Sequence, residues 1–261
     1  MPTTLPNTPM TEPVFIIPDW PAPAHVHAAS TTRQGGVSAL PYSSFNLASH
    51  VGDEVQHVQQ NRRRLREALQ LPAEPSWLEQ VHGVGVLDVG LLNSASPCVA
   101  DASISTESDV VCAIMTADCL PVLMCDRAGR GVAAAHAGWR GLAGGVIEAT
   151  AKRLCQQLDC HADELLVWLG PAIGPQAFEV GNEVRDAFIG IDTSAEQAFV
   201  ANRPEHWLAD IYLLARLALQ RAGIEAVYGG GRCTYNEAET FFSFRREPTT
   251  GRMASLVWLS E

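Results

Sequence analysis

Three separated residues, His82, Cys119 and His136, carry side chains that transition metals prefer, and each lies beside a turn next to a predicted strand. Zinc is bound readily by imidazole nitrogen and thiolate sulfur, and three protein ligands leave the fourth tetrahedral position open to water or substrate. The separations do not match a zinc finger, and a single cysteine is often a packed core residue. Spacing alone therefore gives a hypothesis of one catalytic zinc site.

The same residues fit a second chemistry. A thiolate at Cys119, activated by His82 or His136, would be the nucleophile of a cysteine hydrolase that needs no metal. The other cysteines have no comparable setting, and Cys112 and Cys125 fall inside apolar runs. Cys119 is thus the candidate catalytic cysteine in either chemistry.

Arginines supply the candidate anion sites of this acidic chain. Arg33 is followed by two glycines, so its guanidinium and the loop N–H groups could bind an oxyanion such as phosphate, although a plain surface turn fits equally well. Arg140 lies in a glycine-rich turn before a predicted helix, whose N-terminus favours negative charge, and is the second candidate phosphate ligand. The alternative is a structural role, in which Arg140 caps the helix or pairs with another group of the chain. Arg245, Arg246 and Arg252 flank a loop near the C-terminus and receive no individual role.

The composition limits the partners of the chain. Among its 261 residues, 18 Lys and Arg oppose 29 Asp and Glu, and the formal net charge of -11 lacks the basic footprint of nucleic-acid binding. No apolar run approaches the roughly 20 residues of a membrane span. The seven cysteines are scattered and odd in number, which indicates reduced thiols. We expect a cytoplasmic protein without nucleic-acid or membrane partners, as a monomer or a weak homo-oligomer.

The pattern along the chain predicts an α/β fold. Residues 1–13 are rich in Pro and Thr and are expected to form a flexible tail, while residues 14–261 are expected to form a single catalytic domain. Stretches of helical length lie at residues 55–71, 142–158 and 211–222. Apolar runs typical of buried strands lie at residues 110–115, 121–125, 131–135 and 165–169, and a final strand is expected at residues 257–259. The simplest architecture is a single-domain α-β sandwich with a mixed central sheet, formed by these runs and flanked by helices.

The segments around the three candidate ligands resemble the signature of a known family. The segments that resemble family motifs are residues 79–83, 116–121, 135–141, 32–38, 45–47, 52–53 with 61–62, 168–174, 241–246 and 250–252. They cover nearly the whole chain, which by this resemblance is identified as a member of the laccase-domain, or polyphenol oxidoreductase, family of purine nucleoside phosphorylases. One departure follows Gly174, where many members continue with paired cysteines and this chain reads Pro175-Gln176-Ala177-Phe178.

The resemblance implies a zinc site and a nucleoside substrate. In the family the matching residues bind zinc, which carries the metal over to His82, Cys119 and His136, with copper as the less favoured metal. The implied activity is phosphorolysis of adenosine, inosine and methylthioadenosine to free base and ribose 1-phosphate, together with deamination of adenosine. Purine nucleosides and inorganic phosphate are the implied partners. The implied fold is similar to that of Cys–His deamidating toxin domains.

Two further residues complete the candidate catalytic set with Cys119 and Arg33. Asn46 lies in a segment similar to the family's substrate pocket, although an asparagine in a turn often hydrogen-bonds its own backbone. Asp118 precedes Cys119 and could accept a hydrogen bond from a ligand histidine, or form an Asx turn. Both are expected to orient the substrate or a metal-bound water.

Three other functions compete with nucleoside chemistry. The family's similarity to Cys–His deamidating toxins, and its link to the correction of peptidoglycan precursors, favour amide hydrolysis through Cys119 as the main alternative. Copper-dependent oxidation of phenols is the older interpretation of the family, but multicopper electron transfer needs more grouped ligands than these motifs offer. A zinc-stabilised binding module without catalysis would need a fourth protein ligand.

Overall fold

The structure, a computed structural model, describes residues 12–91 and 98–261, so the predicted tail lies almost wholly outside the described residues. Its strands, in chain order, are β1 (Phe15–Ile16), β2 (Val26–Thr31), β3 (Val86–Asp88), β4 (Ala102–Ser105), β5 (Val111–Thr116), β6 (Leu120–Asp126), β7 (Val132–Ala137), β8 (Leu165–Leu169), β9 (Glu179–Gly181), β10 (Phe199–Arg203), β11 (His206–Ala209), β12 (Val227–Gly229) and β13 (Met253–Leu259). Its α-helices are α1 (Val55–Leu69), α2 (Trp139–Gly144), α3 (Val146–Leu158), α4 (Asn182–Ile189) and α5 (Ile211–Arg221). Short 3-10 helices lie at Val89–Leu91, Ala162–Glu164 and Thr193–Ala198. None of the helices in the two described ranges combines the length and the apolarity of a membrane-spanning segment.

The described strands form three sheets. The central sheet has the order β12-β8-β6-β7-β4-β3, and it is mixed, because the β12–β8 and β3–β4 pairs are parallel and the other pairs are antiparallel. A second sheet, antiparallel throughout, has the order β1-β2-β13-β5, and a small antiparallel sheet has the order β10-β11-β9. The predicted α/β fold with a mixed central sheet is confirmed.

The two larger sheets pack against each other between two helical layers. Helix α3 covers one face of the central sheet, where Ile147 belongs to a core cluster shared with α5. Between the sheets, Leu123 of β6 and Ile114 of β5 belong to a second apolar cluster. Helix α1 covers the outer face of the second sheet, where Leu65 packs in a third cluster. The layers therefore run helix, sheet, sheet, helix.

One predicted strand lies in a different sheet from the expected one. The apolar run over residues 110–115 predicts a strand of the central sheet, but the corresponding strand β5 is at the edge of the second sheet. Both faces of β5 are buried, with Cys112 and Ile114 between the sheets and Val111 and Ala113 under α1. A strand buried on both faces reads as a continuous apolar run in either sheet, so the run identifies the strand but not its sheet.

The predicted helix over residues 142–158 is two helices, α2 and α3, separated by Gly145. Gly145 has a φ of 91°, a left-handed conformation that residues with a Cβ adopt only at a cost. The break leaves α2 as a short segment directly after β7. That segment presents Trp139 and Arg140 beside the end of the strand.

The strand order of the central sheet brings the predicted metal ligands together. Strand β7 lies between β6 and β4. His136 of β7 pairs with Pro121 of β6, so Cys119, which comes just before β6, lies at the same end of the sheet. On the other side, the main-chain N–H of His136 donates to the carbonyl of Asp101, just before β4, at 2.7 Å. The loop that carries His82 leads into the neighbouring strand β3.

The helix break gives a test of backbone conformation alone. An added Cβ at Gly145 would meet no atom closer than 3.7 Å, so Gly145→Ala costs only the left-handed conformation. We expect the free energy of unfolding to fall by about 1 kcal/mol in chemical denaturation. Gly85→Ala is the control, because Gly85 has an equally open surrounding, 3.7 Å to the nearest atom, without a positive φ. Equal losses in both variants would mean that side-chain crowding, and not φ, requires Gly145.

Candidate metal centre

The three predicted ligands form one cluster. The ligand atoms of His82, Cys119 and His136 all lie within 4.8 Å of one another, and the Cys119 Sγ lies 4.0 Å from the His82 Nε2. The two imidazole rings meet edge to face, with centroids 4.8 Å apart. His82 is exposed, Cys119 is half-buried and His136 is buried. No other group of three or more histidine, cysteine or acidic side chains in the described ranges is arranged in this way.

The buried carboxylate of Asp101 holds both histidines of the cluster in place. One oxygen lies 2.8 Å from the His136 Nδ1 and accepts the main-chain N–H of His82 at 2.9 Å. The other oxygen accepts the main-chain N–H groups of Val81 at 3.2 Å and Gly83 at 2.6 Å. His82 has a φ of 60°, which is uncommon outside glycine, and these hydrogen bonds stabilise that turn. Burial raises the pKa of Asp101, but the hydrogen bonds from His136 and the main chain outweigh it and lower the pKa overall.

Sequence reasoning missed Asp101 and assigned its role to Asp118. The Asp118 carboxylate contacts neither histidine; it accepts from the Thr234 hydroxyl at 2.6 Å and from the main-chain N–H of Arg245 at 2.7 Å. Asp118 has a φ of 95°, and its two hydrogen bonds join the turn before Cys119 to the C-terminal loop. The sequence signal for Asp101 is a lone acidic residue between alanines at the start of a strand.

The absence of a side chain at Gly138 leaves room for Cys119 and His82 to approach each other. A Cβ at this position would lie 2.9 Å from the Cys119 Sγ and 3.0 Å from the His82 Cδ2. Both distances are shorter than van der Waals contact, and both atoms belong to the cluster itself. A glycine after β7 is therefore a steric requirement of this site.

The thiol and the buried imidazole shift each other's proton equilibria. Burial opposes a charged thiolate at Cys119, but hydrogen bonds from His136 and His82 outweigh it and lower its pKa to about 6. Burial likewise opposes a charged His136, but its hydrogen bonds to Asp101 and Cys119 outweigh it and raise its pKa to about 9. In the metal-free protein the two side chains thus favour a thiolate beside an imidazolium. By contrast, burial raises the pKa of Cys112 and of Cys125 to about 12.

The donor set of the cluster fits a soft or borderline divalent metal. It offers one thiolate and two imidazoles, the ligands that zinc and copper share. Because Asp101 engages the Nδ1 of His136, the Nε2 of that ring is the nitrogen available to a metal. A carboxylate behind a ligand histidine is the usual arrangement in protein metal sites, and it fixes both the ring orientation and the tautomer.

A cavity of about 380 Å³ opens onto the cluster. Its walls are largely apolar and include Ile173, Phe178 and Phe244. Three arginines also line it, namely Arg140, Arg245 and Arg252. A small concave site with an apolar wall, a few polar groups and shifted pKa values is the usual form of a ligand or catalytic site.

The three cavity arginines are held in different ways. The Arg140 guanidinium lies 4.4 Å above the Trp139 ring, and no hydrogen bond ties it to a described residue. One nitrogen of Arg245 donates to the carbonyl of Glu179 at 2.9 Å. One nitrogen of Arg252 donates to two neighbouring carbonyls, at 2.9 and 3.0 Å, and burial lowers its pKa. The sequence analysis assigned no role to Arg245 or Arg252. The only feature that could have pointed to them is the arginine-rich loop in which they lie.

Arg33 is not among the residues that line the cavity. Its guanidinium donates to the carbonyls of Ser43 and Ala238, each at 3.0 Å, and lies 4.8 Å above the Phe242 ring. A carboxylate oxygen of Glu247 lies 3.9 Å away. These contacts fasten two loops together, so the geometry favours the structural alternative for Arg33.

Asn46 is fully buried and is not among the residues that line the cavity. Its amide nitrogen donates to the carbonyl of Ala48 and to the carboxylate of Asp53. Its amide oxygen accepts the main-chain N–H of Ala48 and, at 2.9 Å, that of Arg252. Asn46 therefore positions the loop of a cavity arginine, where the sequence predicted a direct role at the substrate.

The fold and the cluster together define a mixed α/β protein with a His–Cys–His cluster that could hold a metal ion. Comparison with known proteins agrees: the model of the multi-copper polyphenol oxidoreductase laccase family matches residues 27–260. The chain belongs to this family, as its motifs predicted.

Relatives named purine nucleoside phosphorylase match over nearly their full length. The chain is 56% identical to the purine nucleoside phosphorylase YfiH of Escherichia coli, over 94% of this chain and 98% of that one. It is 55% identical to a purine nucleoside phosphorylase of Pseudomonas aeruginosa, with 95% and 99% covered. A Neisseria meningitidis protein of known crystal structure shares the fold with a TM-score of 0.88 at 48% identity, over 95% of this chain and 99% of that chain.

The role of Asp101 can be tested through metal affinity. Asp101→Asn replaces one carboxylate oxygen with an NH2 group, which cannot accept the hydrogen bonds that this oxygen accepts in the wild type. We therefore expect the affinity for Zn²⁺ to fall about 10- to 100-fold. Competition against a chromophoric chelator measures it. Asp126→Asn is the matched control, because that aspartate is equally buried and binds main-chain N–H groups, but at the opposite end of β6. Equal weakening by both substitutions would contradict a specific role of Asp101.

Proposed function

We propose that this chain is a zinc-dependent purine nucleoside phosphorylase, with residues 14–261 as its catalytic domain. One observation carries the proposal: a single cavity joins the His82, Cys119 and His136 cluster to three arginines and an apolar wall. Nucleoside phosphorolysis needs a place for the anion and a place for the nucleoside, and a metal at the cluster would add a Lewis acid beside them. The names of the relatives support the same reaction.

Zinc is the metal we propose for the cluster, with copper as the less favoured ion. Bound there, zinc would act as a Lewis acid toward a reacting oxygen, or would lower the pKa of a bound water toward about 7. Residues of the chain supply the ligands and fix their orientation. Cys119 supplies a thiolate that offsets the positive charge of the ion, and Asp101 fixes the orientation of His136 and the turn of His82.

The anion site is proposed at the cavity arginines. Arg140 is the leading phosphate ligand, because its guanidinium has no hydrogen-bond acceptor among the described residues and its neighbour Trp139 supports it. Arg252 adds positive charge close to Cys119 and Asp118. A phosphate held there would attack the ribose C1′ while the bond to the base breaks, releasing free base and ribose 1-phosphate. Of the two arginines that the sequence predicted to bind phosphate, this proposal keeps Arg140, adds Arg252 and omits Arg33, which does not line the cavity.

Adenosine, inosine and methylthioadenosine are the proposed substrates, and adenosine deamination is a proposed second activity of the same cavity. In phosphorolysis phosphate attacks the ribose C1′ and the purine leaves, whereas in deamination water attacks the purine C6 and ammonia leaves. A metal at the cluster would supply Lewis-acid chemistry or an activated water to either reaction. None of the cysteines in the described residues is disulfide-bonded, which supports the reducing cytoplasm as the proposed location. A monomer or a weak homo-oligomer stays our expectation.

The reaction is tested by its need for phosphate. Incubated with inosine, the zinc-loaded protein should release hypoxanthine and ribose 1-phosphate only when phosphate is present, as measured by chromatography. Base release at the same rate without phosphate, with free ribose as the product, would contradict phosphorolysis. Conversion of adenosine to inosine without base release would leave deamination as the activity.

The anion site is tested by comparing two arginines. Arg140→Ala should raise the phosphate KM on the order of tenfold and change the inosine KM little, because a charge-assisted hydrogen bond contributes about 1.5–3 kcal/mol and this one lies at an exposed position. Arg33→Ala is the control, since its guanidinium joins two loops outside the cavity; it should lower the Tm and leave the phosphate KM unchanged. The reverse result would return the phosphate to Arg33.

A second candidate is a Cys–His amide hydrolase. It is favoured by the contact of Cys119 with His136, whose other ring nitrogen contacts Asp101 at 2.8 Å. This order of thiol, imidazole and carboxylate is the one that activates a cysteine nucleophile. Copper-dependent phenol oxidation is less favoured, since one three-residue cluster in the described part of the chain offers few of the ligands that multicopper electron transfer needs.

Substitution of the cysteine separates the two candidates. Cys119→Ser replaces a soft thiolate with a neutral hydroxyl, so the metal proposal expects zinc content, measured by elemental analysis, and turnover to fall together. Cys125→Ser should leave both intact. Full zinc content with complete loss of turnover, and a covalent substrate adduct trapped on wild-type Cys119, would establish the nucleophile instead.

A further inference from the structure

Phe244 is exposed although the chain just before it is deeply buried. Phe241, Phe242 and Ser243 have no solvent exposure, whereas Phe244 is 52% exposed and lines the cavity. No other phenylalanine in the described ranges is more than half exposed. A phenyl ring that is both exposed and part of a cavity wall offers apolar surface that a ligand in the cavity would cover.

The backbone around Phe244 is fixed on both sides. The N–H of the next residue, Arg245, donates to the Asp118 carboxylate at 2.7 Å. The guanidinium of Arg246 donates to three main-chain carbonyls at 2.7 to 2.8 Å, including that of Phe241. The ring is therefore presented from a rigid loop, which reduces the entropy lost when it contacts a ligand.

The ring lines the same cavity as the cluster and lies close to one of the cavity arginines. Asp118, which anchors its loop, is the neighbour of the ligand Cys119 in the chain. The guanidinium carbon of Arg252 lies 5.8 Å from the ring centroid. In a nucleoside phosphorolysis the base and the attacking phosphate are both partners of one carbon, C1′, so their two subsites must adjoin. Phe244 adjoins a cavity arginine in this way.

We propose that Phe244 is the surface on which the nucleobase of the substrate stacks. This inference rests on the proposed function and names the part of the cavity that takes the base. Aromatic stacking tolerates different bases because every base has a π face. Phe244 should therefore bind adenine and hypoxanthine about equally, and discrimination between them must come from polar contacts at the base edge.

Binding of product fragments tests this proposal without turnover. Calorimetric titration of the zinc-loaded protein with adenine, hypoxanthine and ribose 1-phosphate separates the base from the sugar phosphate. Phe244→Ala should weaken both bases by a similar factor of about ten- to a hundredfold and leave ribose 1-phosphate unchanged, while Phe244→Trp should retain both. Tyr235→Ala is the matched control, because Tyr235 is a partly exposed aromatic outside the cavity lining.

Each outcome decides between stacking and its alternatives. Unchanged base affinity in Phe244→Ala, equal loss of all three ligands, or no binding of either base by the wild type would overturn the proposal. Loss for one base alone would mean that the position recognises an edge and not a π face. The failures are distinguishable: absence of phosphorolysis with Phe244-dependent base binding would reject the proposed reaction and retain the stacking surface.

Discussion

The site depends on one buried carboxylate and its four N–H donors. Asp101 accepts from the His136 ring and from three successive main-chain amides, including that of His82. A carboxylate without exposure to water is costly unless its oxygens are hydrogen-bonded, and here both oxygens are. The same bonds stabilise the left-handed turn at His82 and fix the tautomer of His136. One residue therefore places two ligands that are far apart in the chain, before any metal is bound.

The charged side chains that line the cavity are mostly positive, although the chain as a whole is negatively charged. A protein with a formal net charge of -11 repels anions at long range, yet three arginines face one small cavity. Two of them are held by main-chain carbonyls. Carbonyl oxygens satisfy a guanidinium without neutralising it, whereas an ion pair with a carboxylate would cancel its charge. The lining thus has three arginines against the single carboxylate of Asp118, a local excess of positive charge in an acidic chain.

The His82, Cys119 and His136 cluster was predictable from the sequence because residue type and resemblance to family motifs pointed to the same three residues, and the fold class was predictable because apolar runs and helical stretches are local. Asp101 was not, because its role depends on β4 being the neighbour of β7, and the order of strands is set by packing between distant segments. For the same reason the sequence could not show that Arg33 contacts Ala238 or that Asn46 contacts Arg252, since each pair is about two hundred residues apart in the chain.

The unequal burial of the two imidazoles gives the metal site an entrance. His136 is 3% exposed and lies at the floor, whereas His82 faces solvent. An ion that reached the cluster from solvent would meet the outer imidazole before the inner one, whose orientation Asp101 already fixes. Filling the cluster would therefore need no separation of the strands.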